Sequence, residues 1–346
     1  MNHPNVELFD NNNSKQETMD APKYNPAYLT TLQKQKDEGT HFPFRYLCDE
    51  NNNILPIVLV AAFFRSDVER NMYDEYIENG IKVVGITAYK TFPKPITDKS
   101  GDSDTVNDPF DYYGNIQNWL SCFKYPADYG FTSWNQLENI SESDFYDAEP
   151  QITKEKKYDF IYVCLKDDET CPMDGWNAIN RNFKLALNCF PIIMNEMGLN
   201  MLVIGRVNCG LEKLYGDRIT IMDFLPHAEF QEKLRESRFL FVPNIYDASP
   251  RIISEAIIKG VPVLLNKNIV CGSKYIHSET GQTFTDENDL RYSIEKLITK
   301  SETMNPRLWW LNNYSKQKSG EHLKDILSHW YPDLGIWINV KGVYFY

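Results

Sequence analysis

The sequence predicts an α/β protein of two domains, each built on a parallel sheet with helices on both faces. Three observations carry that expectation. The chain has 346 residues, more than one hydrophobic core usually serves. An early stretch reads strand, helix, strand, and from residue 158 onward apolar runs alternate steadily with helical periods.

Residues 1–40 are polar and Asn-rich and read as a lead-in. Phe42, Phe44 and Tyr46 then alternate with other residues, the period of a half-buried strand, and residues 49–53 supply turn formers before the apolar run 57–61. This predicts a hairpin whose second strand lies inside a sheet. Ser66-Asp67-Val68-Glu69 has capping-box spacing, and its helix should end at Asn79-Gly80 before a strand over 81–87. Residues 90–150 lose this rhythm: Pro93, Pro95, Gly101 and Pro109 mark loops, and 112–123 reads as a helix. The many aromatics there either line a ligand cleft or add a second layer of core packing.

The first domain is therefore expected over 41–153 and the second over 154–312, with a tail at 313–346 that packs back on the first. In the second domain strands are predicted at 158–165, 200–205, 219–222, 238–243 and 261–266. Helices are expected at 177–197, 227–236, 250–259 and 287–299.

Composition excludes several classes. A formal charge of −12 repels a phosphate backbone, and no basic patch offsets it, so no nucleic-acid partner is expected. No apolar run reaches the ~18 residues of a membrane helix, and the first 20 residues lack the apolar core of a signal peptide. The seven cysteines are scattered without a CxxC pair. That pattern predicts reduced thiols, no zinc site and a cytoplasmic location. The six histidines show no metal-ligand spacing, although His277, after Gly272-Ser273-Lys274-Tyr275, is a candidate for a ligand cleft.

The chemistry concentrates in residues 238–266, RFLFVPNIYDASPRIISEAIIKGVPVLLN. A buried strand enters a loop, Ser249 suits a helix N-cap, Pro250 the first helical position, and Gly260 the helix end. The amides of Arg251 and Ile252 should then point into the crevice at the strand ends, where a phosphate is favoured. Asp247 and Glu255 flank that helix start, and carboxylates beside a phosphate are useful when they accept from hydroxyls.

Asp247-(ASPRIIS)-Glu255-Ala256 followed by Gly260-Val261-Pro262-Val263 resembles the donor-site motif of retaining GT-B glycosyltransferases of the family 4-like group. The segment 219–234 resembles that group's preceding strand, loop and helix, and the likeness covers residues 158–300. It implies two Rossmann-like domains facing a central cleft. It implies transfer of a sugar from a UDP- or GDP-sugar, with retention and without metal or cofactor, to a glycan, glycoprotein or small-molecule acceptor.

By this resemblance Glu255 holds the ribose hydroxyls, Asp247 the transferred sugar, the Arg251 and Ile252 amides the diphosphate, and backbone near Leu225 the base. The family's Lys-Gly position falls on Asp174-Gly175, so the phosphate cations are sought in Lys166, Arg206 and Arg251, with Lys166 and Arg251 first. Two alternatives stand beside this reading: a metal-dependent GT-A transferase using Asp102 and Asp104, and a non-catalytic GT-B-like binding module.

Overall fold

The computed structural model describes residues 23–39, 42–87, 91–94, 108–147, 152, 154–247 and 251–345. Among these residues two six-stranded sheets organise the chain. Helix α1 (Tyr28–Asp37) precedes the hairpin, in which β1 (Phe44–Asp49) pairs antiparallel with β2 (Ile54–Val60). Asp49 shapes the turn by accepting the amides of Asn51 and Asn53, each at 2.8 Å.

Helix α2 (Asp67–Glu78) opens at Ser66, whose hydroxyl accepts the Val68 amide at 3.2 Å. Glu69 accepts from the Ser66 hydroxyl rather than from its amide, so half of the expected capping box forms. Gly80 takes a φ of 71° just past the helix end, and β3 (Lys82–Ile86) follows parallel to β2.

The helix expected over 112–123 is cut to one turn, α3 (Tyr112–Asn115), and β4 (Asn118–Leu120) replaces the rest, with β5 (Gln136–Glu138) beyond it. Trp119 decides this. Its buried ring lies on Gly85 of β3, where any Cβ would sit 2.1 Å from the indole, and its Nε1 donates to the Ile116 carbonyl at 2.7 Å. Only an extended backbone lays the indole there. The neighbouring aromatics pack edge to face, as Phe63 does on Tyr112 and on Phe92. Among the described residues these rings form a second packing layer.

The second sheet contains β6 (Tyr158–Cys164), β7 (Met201–Gly205), β8 (Ile219–Met222), β9 (Ser237–Val242), β10 (Val263–Asn266) and β11 (Gly281–Phe284). Between them run α4 (Trp176–Asn180), α5 (Phe183–Phe190), α6 (Leu211–Tyr215), α7 (His227–Arg235) and α8 (Arg251–Ile258), with α9 (Glu287–Ser301) after the last strand. All pairings are parallel, in the order β11-β10-β9-β6-β7-β8. Alternate side chains serve opposite faces. Phe160, Tyr162, Phe239 and Phe241 meet α5 and α9, while Ile161, Leu240 and Val242 meet α7 and α8.

The single helix expected over 177–197 is broken twice. Asn182 adopts φ 49° between α4 and α5, and from Pro191, which has no amide to donate, the turns widen through Glu196. Helices α10 (Pro306–Asn313) and α11 (Lys316–Trp330) lead back to the first sheet. Leu323, Ile326 and Leu327 pack with Leu47, Ile57 and Leu59 there, and β12 (Val343–Phe345) pairs antiparallel with β1. No helix among the described residues is long and apolar enough to cross a membrane.

Reduced thiols throughout were expected, but Cys171 and Cys209 form a disulfide. It joins the loops after β6 and β7, which neighbouring parallel strands bring together although 38 positions separate the two residues. Closing a loop of that length is worth about 4 kcal/mol on the chain-entropy account. Cys171→Ser should therefore lower the denaturation midpoint clearly under non-reducing conditions, and an unchanged midpoint would contradict the bridge.

Candidate functional site

The strand order of the second sheet reverses between β6 and β9, and a crevice opens beyond their C-terminal ends. A cavity of about 470 Å³ fills it, within the size range of about 300–1,000 Å³ typical of small-molecule sites. Val163, Leu165, Phe241 and Val242 make its floor, Phe224, Leu225 and Phe230 one wall, and Arg181, Asn244, Asp247, Arg251 and Glu255 its polar groups.

Asp247 lies in the loop after β9. Its Oδ2 accepts from Arg181 Nη1 at 2.6 Å and from Asn244 Nδ2 at 3.2 Å. The two side chains of the ion pair are only 28% and 13% exposed, so the bond is shielded but open to a ligand. Three contacts hold Arg181 in place. The Asn182 amide group donates to the Pro243 carbonyl at 3.1 Å, the Tyr162 hydroxyl donates to the Arg181 carbonyl at 3.3 Å, and Asp167 accepts the Asn177 and Ala178 amides at the start of α4.

Glu255 lies one turn into α8, on the side opposite the buried Ile253, Ala256 and Ile257. His227 Nε2 is 3.3 Å from Glu255 Oε1 and 3.1 Å from Gln231 Nε2. A ring with Nε2 unprotonated accepts from Gln231 there, whereas a ring with a proton on Nε2 donates to Glu255. Tyr146, from the first-domain side, lies against the same helix. Burial raises its hydroxyl above the usual tyrosine range, the Arg251 cation lowers it and Glu255 raises it.

The structure thus brings Asp247, Arg251, Ile252, Glu255 and Leu225 to one cavity. Lys166 and Arg206 are not among its lining residues. Lys166 pairs with Glu169 at 2.7 Å and Asp223 at 3.4 Å. Arg206 is buried, bound to Asp167 at 2.8 Å and to Cys164 Sγ at 3.0 Å. It orders the loop that caps α4 instead. His277 stacks on Trp309 at 5.7 Å, apart from the cavity lining. Ser249, Asp102 and Asp104 lie outside the described residues. Sequence reasoning missed Arg181 and the partnership of His227 with Glu255. The one available signal was Arg181-Asn182, a cation before a residue type that tolerates left-handed backbone.

No family model matches the chain, and no curated protein sequence matches it. Solved structures do. Sucrose-phosphate synthase from Thermosynechococcus elongatus superposes with a TM-score of 0.55 at 13% identity, covering 80% of this chain and 74% of that one. A glycosyltransferase from Rickettsia africae gives 0.53 at 12%, covering 80% and 77%. A point mutant of S. aureus TarM, in complex with fondaparinux, α-GlcNAc-glycerol and UDP, gives 0.52 at 12%, covering 76% of this chain. The match spans about half of TarM, 53%. The chain therefore has the GT-B glycosyltransferase fold, two α/β domains on parallel-dominated sheets.

If Arg181 and Asp247 form the pair described, a double-mutant cycle of Arg181→Ala and Asp247→Ala, read by chemical denaturation, should return a coupling of about 0.5–3 kcal/mol. Strictly additive effects would show that the two side chains do not meet.

Proposed function

We propose that this protein is a glycosyltransferase that moves a sugar from a UDP- or GDP-sugar to a glycan, glycoprotein or small-molecule acceptor, with retention and without metal. The observation that carries the reading is the convergence of two carboxylates and two arginines on one cavity, at the strand-order reversal of a GT-B sheet. A diphosphate matches the arginines and the helix start, and hydroxyls match the carboxylates. The glycosyltransferase neighbours support the reaction class, and one of them, TarM, was solved with UDP.

In this reading Glu255 accepts from the ribose hydroxyls, with His227 as its neighbour. Phe224 and Leu225 flank the base. Arg251 and the first amides of α8 meet the diphosphate. Arg181 is the second phosphate cation, and Arg181-Asn182 answers the family's Lys-Gly position better than Asp174-Gly175 does. Asn182 supplies the left-handed backbone, φ 49°, that a glycine would.

Arg181 is bound to Asp247 in the structure. A diphosphate draws the guanidinium to itself and leaves Asp247 to accept from hydroxyls of the transferred sugar. The acceptor oxygen then attacks the anomeric carbon on the face from which the phosphate oxygen leaves. That oxygen takes the acceptor's proton, so no protein base is needed. Preorganised cations and amides stabilise the charge that gathers on the diphosphate.

Glu255→Gln should weaken donor binding, whereas Asp247→Ala should mainly lower turnover, because sugar positioning matters most as the transition state forms. Each loss should amount to about 1.5–3 kcal/mol, or about tenfold to a hundredfold. Asp102→Asn with Asp104→Asn should change neither, and transfer should persist in excess EDTA. Loss of transfer in EDTA with recovery on adding Mn²⁺, together with an essential Asp102 and Asp104, would overturn the assignment.

A further inference from the structure

A second feature lies where the two domains meet. Cys122 follows β4 of the first sheet and Cys271 lies in the loop after β10 of the second. Their Sγ atoms are 2.9 Å apart although 149 positions separate them in the chain. That is closer than two sulfurs in simple van der Waals contact, and less than 1 Å of approach brings them to the bond length of about 2.05 Å. Both are buried, at 5% and 0% exposure.

The backbone holds them in place from both sides. The Cys122 amide donates to the Thr87 hydroxyl at 3.1 Å, and its thiol lies 3.3 Å from the Thr87 carbonyl. Across the interface the Lys124 amide donates to the Val270 carbonyl at 2.9 Å. The Val270 amide in turn donates to the Ile245 carbonyl at 2.9 Å, in the loop that carries Asp247.

We propose that Cys122 and Cys271 are a redox-modification site whose oxidation by a peroxide forms a disulfide between the domains and holds the cleft at one opening. One thiolate attacks the peroxide oxygen, the O–O bond breaks, and a sulfenic acid and hydroxide result. The second thiol attacks the sulfenic sulfur and expels water as the S–S bond forms. In sum two thiols and one hydrogen peroxide give one disulfide and two waters. Burial, the Cys122 thiol and Asp247 raise the Cys271 thiol above its ordinary range and Lys274 lowers it, so the thiolate population, and with it the rate, grows with rising pH. The bond itself does not depend on the sugar-transfer reading; its effect on a closing cleft does.

The full-length protein treated with hydrogen peroxide, alkylated after unfolding and digested without reduction should yield a peptide pair joined at Cys122 and Cys271. Cys122→Ser and Cys271→Ser should each lack it and keep the Cys171–Cys209 link. Hydrogen exchange at the Lys124 and Val270 amides should slow about tenfold or more on oxidation of the wild type and stay unchanged in both variants. Recovery of Cys122 and Cys271 as separately alkylated peptides, at peroxide levels that oxidise the other thiols, would overturn the site. A joined pair without slower exchange would overturn the lock.

Discussion

Ile161 of β6 pairs with Leu240 of β9, so two strands far apart in sequence become neighbours at the centre of the second sheet. The loops after them leave in opposite directions, one toward α4 and the other toward α8. The cavity is the gap between those loops. Arg181 reaches it from the α4 side and Asp247 from the β9 side, and they meet only because the strand order reverses there.

The charges near this gap sort by how they are satisfied. Arg206 is deeply buried and has Asp167 beside it, which also caps α4, so its charge serves the scaffold. Lys166 is part of an exposed cluster with Glu169 and Asp223, where water screens it. Arg181 differs from both. Its partner Asp247 is largely shielded but lines the cavity, so the guanidinium is within reach of an anionic ligand where that of Arg206 is not. The Lys274–Asp144 ion pair at 2.7 Å and the Tyr275–Asp144 hydrogen bond join the domains. The Cys122–Cys271 contact adds to this seam a spacing that can become covalent.

Much of this was legible in the sequence. The apolar runs that became β6, β7, β9 and β10 are buried on both faces, so each announces itself without its partners. Glu255 stood out because a carboxylate among isoleucines is conspicuous on one helix. What failed depends on tertiary contact. The extended backbone at Trp119 is dictated by Gly85 of another strand, and β11, Gly281–Phe284, has too few apolar residues to mark itself. The break at Asn182 is fixed by the Pro243 carbonyl. Arg181 was invisible for the same reason, since its meaning comes from Asp247, which the fold supplies from a distant loop. Cys171 and Cys209 misled because their pairing follows the adjacency of β6 and β7, and the approach of Cys122 to Cys271 comes from the meeting of two sheets; neither is written in spacing.

The most direct test is the thermal stability of the full-length protein against a panel of UDP- and GDP-sugars. A ligand at a hundred times its dissociation constant stabilises the folded state by about 2.7 kcal/mol, so a true donor stands out. A raised melting temperature is expected with one nucleotide class, retained in EDTA and reduced in Arg181→Ala. No stabilisation by any sugar nucleotide at millimolar concentration, or the same shift in Arg181→Ala as in the wild type, would contradict it.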